Sequence, residues 1–173
     1  DTTPAQIVAV YKNLAKGKKA KDNFTVGIND DVTNLSLPLE AEINVAGDKA
    51  SQLIFFGLGS DGTVGANKST IKLIGDNTDN YAQAYFAYDS KKSGGVTRSH
   101  LRFSPEPIRS TYLVTQADFI ACSLDTYVEK YDMLGCLKDG GTFLLNTVKS
   151  AKEIEAALPN EFKKQLAEKH AKF

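Results

Sequence analysis

The sequence has little of the chemistry on which metal and redox sites depend. Its 173 residues hold two cysteines, Cys122 and Cys136, and two histidines, His100 and His170. Neither cysteine belongs to a C-x-x-C pair, so zinc, iron–sulfur and thioredoxin-like chemistry finds no support within this chain. Excess charge is also missing: 21 Lys plus Arg balance 21 Asp plus Glu. A neutral balance gives no global attraction for nucleic acid or an acidic membrane, so any anion affinity must be local. No apolar run reaches membrane-spanning length, and no secretory n-region and h-region open the chain. Met133 is the single methionine and residue 1 is Asp, which reads as a processed or excised piece of something longer. What is there is the composition of a soluble globular domain with a real core. Cys122 reads as a small core residue, and the two thiols as a reduced, cytoplasmic pair.

The stretch Ser51–Ser69, SQLIFFGLGSDGTVGANKS, organises the rest. Leu53, Ile54, Phe55 and Phe56 form a short apolar run, the mark of a strand buried on both faces. Gly57, Gly59 and Gly62 follow at G-x-G-x-x-G spacing, which permits a tight turn and lets a phosphate approach bare N–H groups. Ser60 and Thr63 add hydroxyls. A helix is expected from Thr63 or Val64, with Ile71 and Ile74 on one side. Its unpaired N-terminal amides and partial positive charge make an anion seat for a phosphate or pyrophosphate. A tight βα turn that holds nothing is the plain alternative. Lys68-Ser69 looks like the end of a Walker A loop, but Asn67 stands where its second glycine belongs, so Lys68 reads as a solvated helix lysine.

Upstream, Thr3, Pro4 and Gln6 form a helix start with a capping box, and Ile7, Val8, Tyr11, Leu14 and Ala15 fall on one face. The lysines between Lys12 and Lys21 read as a solvated helix end. Phe24–Val26 is a short strand and Leu39–Val45 a second extended piece, with Asn29-Asp30-Asp31 as a turn between them. Downstream, Gly75-Asp76-Asn77 ends the central helix. Tyr81–Tyr88 is an aromatic strand, apolar on both faces, that ends at Asp89. In a Rossmann unit an acid at that place holds a ribose hydroxyl. Lys91 and Lys92, beside Gly94 and Gly95, read as a second anion site, because parallel strands bring both loops to one rim of the sheet; an exposed loop with ordinary lysines is the plain alternative. Val96–Phe103 alternates, with Arg98, His100 and Arg102 on one face, which meets an anion, a partner domain or simply solvent at a sheet edge. Ile108 and Tyr112–Val114 begin an extended segment, Ala117–Cys122 is a buried strand, Leu124–Met133 a helix and Thr142–Asn146 a strand. Ala151–Leu158 and Asn160–Phe173 are helical, and Phe162, Leu166, His170 and Phe173 form a stripe. The expected class is α/β: a Rossmann-like three-layer α/β/α arrangement with a mainly parallel sheet.

The motifs FFGLGSDGTVGANKSTIK, DNYAQAYFAYDSKKSGGVTRSHLRF, IRSTYLV, ADFIACS and LKDGGTFLLN, with FTVGINDDVTNLSL upstream, closely resemble pyruvate:ferredoxin (flavodoxin) oxidoreductase over nearly the whole chain. The resemblance implies a part of a long multidomain enzyme that oxidatively decarboxylates pyruvate to acetyl-CoA and passes electrons to ferredoxin or flavodoxin. The enzyme uses thiamine diphosphate with Mg2+ and [4Fe–4S] clusters and works as a homodimer in the cytoplasm or a hydrogenosome-like organelle. Residues 47–173 resemble its gamma-type, coenzyme A-binding domain, which in the family continues beyond Phe173. Residues 1–46 resemble the tail of the preceding domain plus a linker. The family's coenzyme A contacts carry over to Gly59, Ser60, Asp61, Gly62 and Thr63 and to Lys91, with Lys92 beside it. No catalytic residue or metal ligand carries over, and the fragment alone is expected to be inactive. The remaining domains of the parent chain are its expected partners, with no nucleic acid and no membrane. Two other functions fit the residues taken alone. One is an NAD(P)-binding dehydrogenase domain, suggested by G-x-G-x-x-G and Asp89. The other is a docking module whose loops bind nothing.

Overall fold

In a computed structural model, residues 2–28, 32–41, 43–89 and 94–173 are described. The chain divides into two compact units, Asp1–Val45 and Ala46–Phe173.

The first unit is built on α1 (Pro4–Leu14) and a two-residue parallel pair, β1 (Thr25–Val26) with β2 (Ser36–Leu37). The capping box forms: the Thr3 side chain accepts from the Gln6 amide, and the Gln6 side chain accepts from the Thr3 amide at 3.0 Å. The buried face differs from the one expected. Ala5, Ala9 and Asn13 turn inward, while Ile7, Tyr11 and Leu14 stay exposed. Asn13 explains the choice, because its amide bonds both backbone groups of Lys21, at 2.9 and 3.0 Å, and fixes that face against the following chain. Among the described residues of Leu39–Val45 no strand forms. The Asn29–Asp31 turn lies outside the described residues.

The second unit is α/β. A five-stranded sheet has the order β4-β5-β3-β6-β7, with β3 at Ser51–Leu58, β4 at Tyr81–Tyr88, β5 at Val96–Ser104, β6 at Ala117–Cys122 and β7 at Leu137–Leu145. β6 runs parallel to both β3 and β7. β5 is antiparallel to both β3 and β4, so four of the five strands point one way. α2 (Thr63–Asn77) joins β3 to β4 and lies on one face of the sheet, where Lys68 sits 5.4 Å from the Phe86 ring. On the other face Ile54, Ile120 and Phe143 lie in one cross-strand row within the apolar core. There α4 (Asn160–Glu168) sets Phe162 edge-on against Phe143, with centroids 5.2 Å apart. α3 (Ala151–Ala157) precedes it and carries a second capping box, Ser150 with Glu153. The layers are therefore helix, sheet, helix.

Several elements depart from expectation for identifiable reasons. α2 runs through Gly75 to Asn77, and Asn77 and Thr78 close it with side-chain bonds to the Leu73 and Ile74 carbonyls. β4 is an edge strand rather than a buried one, and Tyr81, Tyr85 and Tyr88 are all exposed. β5 is interior, not an edge. Leu124–Met133 contains only a 3-10 turn at Asp125–Glu129, because burial of Tyr127 and Met133 in the core overrides the helical pattern. β7 begins five residues early. Its register with β6 slips between Leu137 and Thr142, a stretch that contains Gly140 at φ +70°.

Arg102 and His100, expected on an open face, are buried instead. Arg102 donates to the side-chain oxygens of Gln52 and Gln83 and to the carbonyls of Thr111, Tyr112 and Leu113, at 2.7–3.2 Å. This single guanidinium shapes a segment expected to be extended and holds it as an irregular cover. His100 Nδ1 accepts the Val114 amide at 3.1 Å. Burial, together with the charges of Arg102 and Arg98, holds its pKa down at about 4, so the ring is neutral. Arg98 alone stays exposed, with its guanidinium over the rings of Phe56 and Tyr131. His170 is not part of an apolar stripe. It lies past α4 at φ +46° and pairs with Asp139 at 2.7 Å on the surface. Both cysteines are free; Cys122 is buried and its Sγ donates to the Leu124 carbonyl.

Candidate functional site: a glycine loop beside a strand hairpin

The site begins where β3 runs out. Leu58 is its last residue, and four residues, Gly59–Gly62, turn the chain into α2. Two of them have left-handed backbones, Ser60 at φ +75° and Gly62 at φ +90°. For Gly62 this costs nothing; for Ser60 it is an uncommon conformation that something must hold.

Asp61 does the holding. Its carboxylate accepts the Leu58 and Thr63 amides, each at 2.8 Å, and the Thr63 hydroxyl at 2.9 Å. Since the Thr63 hydrogen goes to Asp61, its oxygen accepts from Ser123 Oγ at 3.0 Å, which ties the loop to the end of β6. Gly59 donates to the Gly95 carbonyl at 2.8 Å and so staples the loop to the start of β5. Gly57, one residue before the end of β3, leaves room for this packing. A Cβ there would meet Thr63 and Thr97 at 2.7–2.9 Å.

These bonds leave a defined remainder. Among the described residues, the amides of Ser60, Gly62, Val64 and Gly65 have no hydrogen-bond partner. The last two belong to the first turn of a 15-residue helix, where the macrodipole places partial positive charge. All four residues line one cavity of about 690 Å³. Its other walls come from Tyr88 and Asp89 at the end of β4 and from Gly95, Val96 and Thr97 at the start of β5. Thr97 is buried, and its Oγ1 has no partner. Among the described residues no lysine or arginine lines the cavity. Attraction for an anion from this part of the wall rests on amides, and the charge of Asp61 is offset by three donors.

The sequence-derived residues fall as follows. Gly59, Ser60, Asp61, Gly62 and Thr63 form the loop, but in two different capacities. Ser60 and Gly62 present amides to the cavity, whereas Asp61 and Thr63 spend their polar groups on each other. Lys91 and Lys92 lie outside the described residues; their neighbours Asp89 and Gly95 line the cavity on either side of the connection that contains them. Lys68 faces Phe86 and does not line the cavity. Sequence reasoning did not find Tyr88, Thr97 or Ser123. Thr97 could not be placed without knowing that β5 runs back beside β3. The alternation along β4, which sets Tyr88 on the same face as Phe86, was the available signal for the tyrosine.

A glycine turn from a strand into a helix, with the amides of the first helical turn free over a cavity at the carboxyl rim of an α/β sheet, is an arrangement that many anion- and nucleotide-binding proteins share. Comparison narrows the class. Residues 52–173 match the family model described as pyruvate ferredoxin/flavodoxin oxidoreductase, and the chain belongs to that family. Over an alignment of 174 positions that covers all of this chain, it is 56% identical to the pyruvate-flavodoxin oxidoreductase of Enterobacter agglomerans. Over 170 residues, 98% of the chain, it is 54% identical to the pyruvate:ferredoxin oxidoreductase of Moorella thermoacetica. It is 47% identical over 174 residues to the mitochondrial pyruvate dehydrogenase [NADP(+)] of Euglena gracilis. The chain spans 15%, 14% and 10% of the length of these relatives, respectively.

Proposed function

We propose that this chain binds coenzyme A and positions it within a pyruvate:ferredoxin (flavodoxin) oxidoreductase. The observation that carries the proposal is the set of four partnerless amides on one cavity at the carboxyl rim, next to the connection that contains Lys91 and Lys92. Coenzyme A brings a pyrophosphate and a 3′-phosphate. The amides suit the first, and the lysines supply point charges for the second. The contribution of this chain to the chemistry is proximity: it brings a thiol to an intermediate made on other domains. Those domains supply thiamine diphosphate with Mg2+ and the [4Fe–4S] clusters of the whole enzyme, which forms acetyl-CoA from pyruvate as a homodimer. Residues 47–173 form the gamma-type domain and residues 1–46 the tail of the domain before it. The relatives' names support a role apart from the electron acceptor. Flavodoxin, ferredoxin and NADP(+) appear in three names, while this segment stays 47–56% identical. The described part has no helix long and apolar enough to cross a membrane, and the proposed setting is the cytoplasm or a hydrogenosome-like organelle.

Calorimetric titration of the intact enzyme with coenzyme A and dephospho-coenzyme A tests the reading. Tighter binding of coenzyme A, with the difference abolished in Lys91→Ala/Lys92→Ala, is expected. Equal affinities remove the lysines from the 3′-phosphate. Tight NADP binding that coenzyme A does not displace transfers the cavity to a dinucleotide.

A further inference from the structure

We infer that Tyr88 is the stacking platform for the purine base of the nucleotide held in this cavity, an inference that rests on the coenzyme A reading above. Tyr88, Thr97 and Gly57 form one cross-strand row, paired Cα to Cα through β4, β5 and β3. They share the face that α2 covers. Two strand spacings separate the Tyr88 backbone from Gly57, about 10 Å. That is the reach from a 5′-diphosphate seated on the α2 amides, across a ribose, to its base.

The ring is available for this. Tyr88 is 59% exposed and lines the cavity. It has no ring, cation or hydrogen-bond partner among the described residues. The other tyrosines of β4 are differently disposed. Tyr81 and Tyr85 project from the opposite face, and Tyr85 lies 6.0 Å from Tyr112. A flat, exposed ring on the wall of this cavity, with no aromatic neighbour among the described residues, matches the π-face of a base. The flexible pantetheine arm offers no such face, so it is assigned to the opposite direction, away from Tyr88.

The test uses the intact enzyme and calorimetric titration with coenzyme A, adenosine 3′,5′-bisphosphate and 4′-phosphopantetheine. Stacking on one aromatic side chain predicts that Tyr88→Ala weakens the first two by about 5- to 150-fold. Phosphopantetheine binding stays as it was, and Tyr88→Phe binds all three as the wild type does. Unchanged affinity for adenosine 3′,5′-bisphosphate in Tyr88→Ala overturns the inference, as does an equal loss for phosphopantetheine. The coenzyme A reading fails separately, if the wild-type enzyme shows no preference for coenzyme A over dephospho-coenzyme A and Gly62→Ala leaves both affinities intact.

Discussion

A single methyl group at Gly57 tests whether the loop geometry is set by packing beneath it. A Cβ there would stand 2.7 Å from Thr63 Cβ, 2.8 Å from Thr63 Oγ1 and 2.9 Å from Thr97 Oγ1. Carbon atoms rest at about 3.5–4.0 Å, so Thr63 has to retreat by roughly 0.8 Å or more. Thr63 is no flexible tip: it is the first residue of α2. Its hydroxyl bonds to Asp61 and Ser123, now 2.9 and 3.0 Å, stretch past hydrogen-bonding range together. Overpacking of this kind costs about 1–3 kcal/mol and each of the two lost bonds about 1, so Gly57→Ala is expected to destabilise by about 3–5 kcal/mol. Urea unfolding of this chain reads it as a midpoint lower by roughly 1.5–2.5 M. The Val64 and Gly65 amides move with Thr63, so coenzyme A affinity of the intact enzyme falls as well, by about tenfold or more. Gly75→Ala is the control. Its new methyl meets only Ala82 Cβ, at 3.8 Å, in the interior of the same helix, where alanine stabilises by about 0.5–1 kcal/mol. A Gly57→Ala chain with the wild-type midpoint and wild-type affinity refutes the argument that this glycine exists for the approach of Thr63.

Two further perturbations address the covered face of the sheet. Arg102→Lys is expected to cost about 3–5 kcal/mol, because an ammonium cannot serve two glutamines and three carbonyls that a guanidinium reaches at once; calorimetric unfolding checks it, and a loss under 1 kcal/mol contradicts it. His100 makes stability depend on pH. Its folded pKa of about 4 lies below the unfolded 6.5, so the unfolded chain binds the extra proton. The stabilisation is complete above pH 6.5 and is lost as pH falls toward 4, with about 2 kcal/mol gone at pH 5. Urea unfolding at pH 8 and pH 5 should show this loss in the wild type, and a smaller one in His100→Asn. Equal losses in both chains remove His100 as the cause.

The glycine loop was legible because everything it needs is local. An apolar run, three glycines at fixed spacing and a helix start lie within 19 consecutive residues, and each has one physical interpretation. The strands β3, β4 and β6 were legible for the same reason. Direction was not. Val96–Phe103 alternates equally well whether it runs parallel or antiparallel, at an edge or in the interior, and only its partners decide. The same gap hid Arg102, whose five acceptors come from β3, β4 and the chain between Thr111 and Leu113. Asp61 misled in another way. Its position in the loop was plain, but a carboxylate that accepts three local donors shapes the loop instead of meeting a ligand, and that division of labour needs coordinates.

The antiparallel course of β5 sets how little chain is needed between β4 and β5. A parallel neighbour would require a crossover of a dozen or more residues between β4 and the next strand. Here residues 89–95 make the return directly, and both ends are anchored: the Asp89 amide to the Val96 carbonyl at 3.2 Å, and the Gly95 carbonyl to the Gly59 amide. Sheet order and the tie between the glycine loop and β5 therefore rest on these two anchored ends, and not on the length or charge of the chain that joins them.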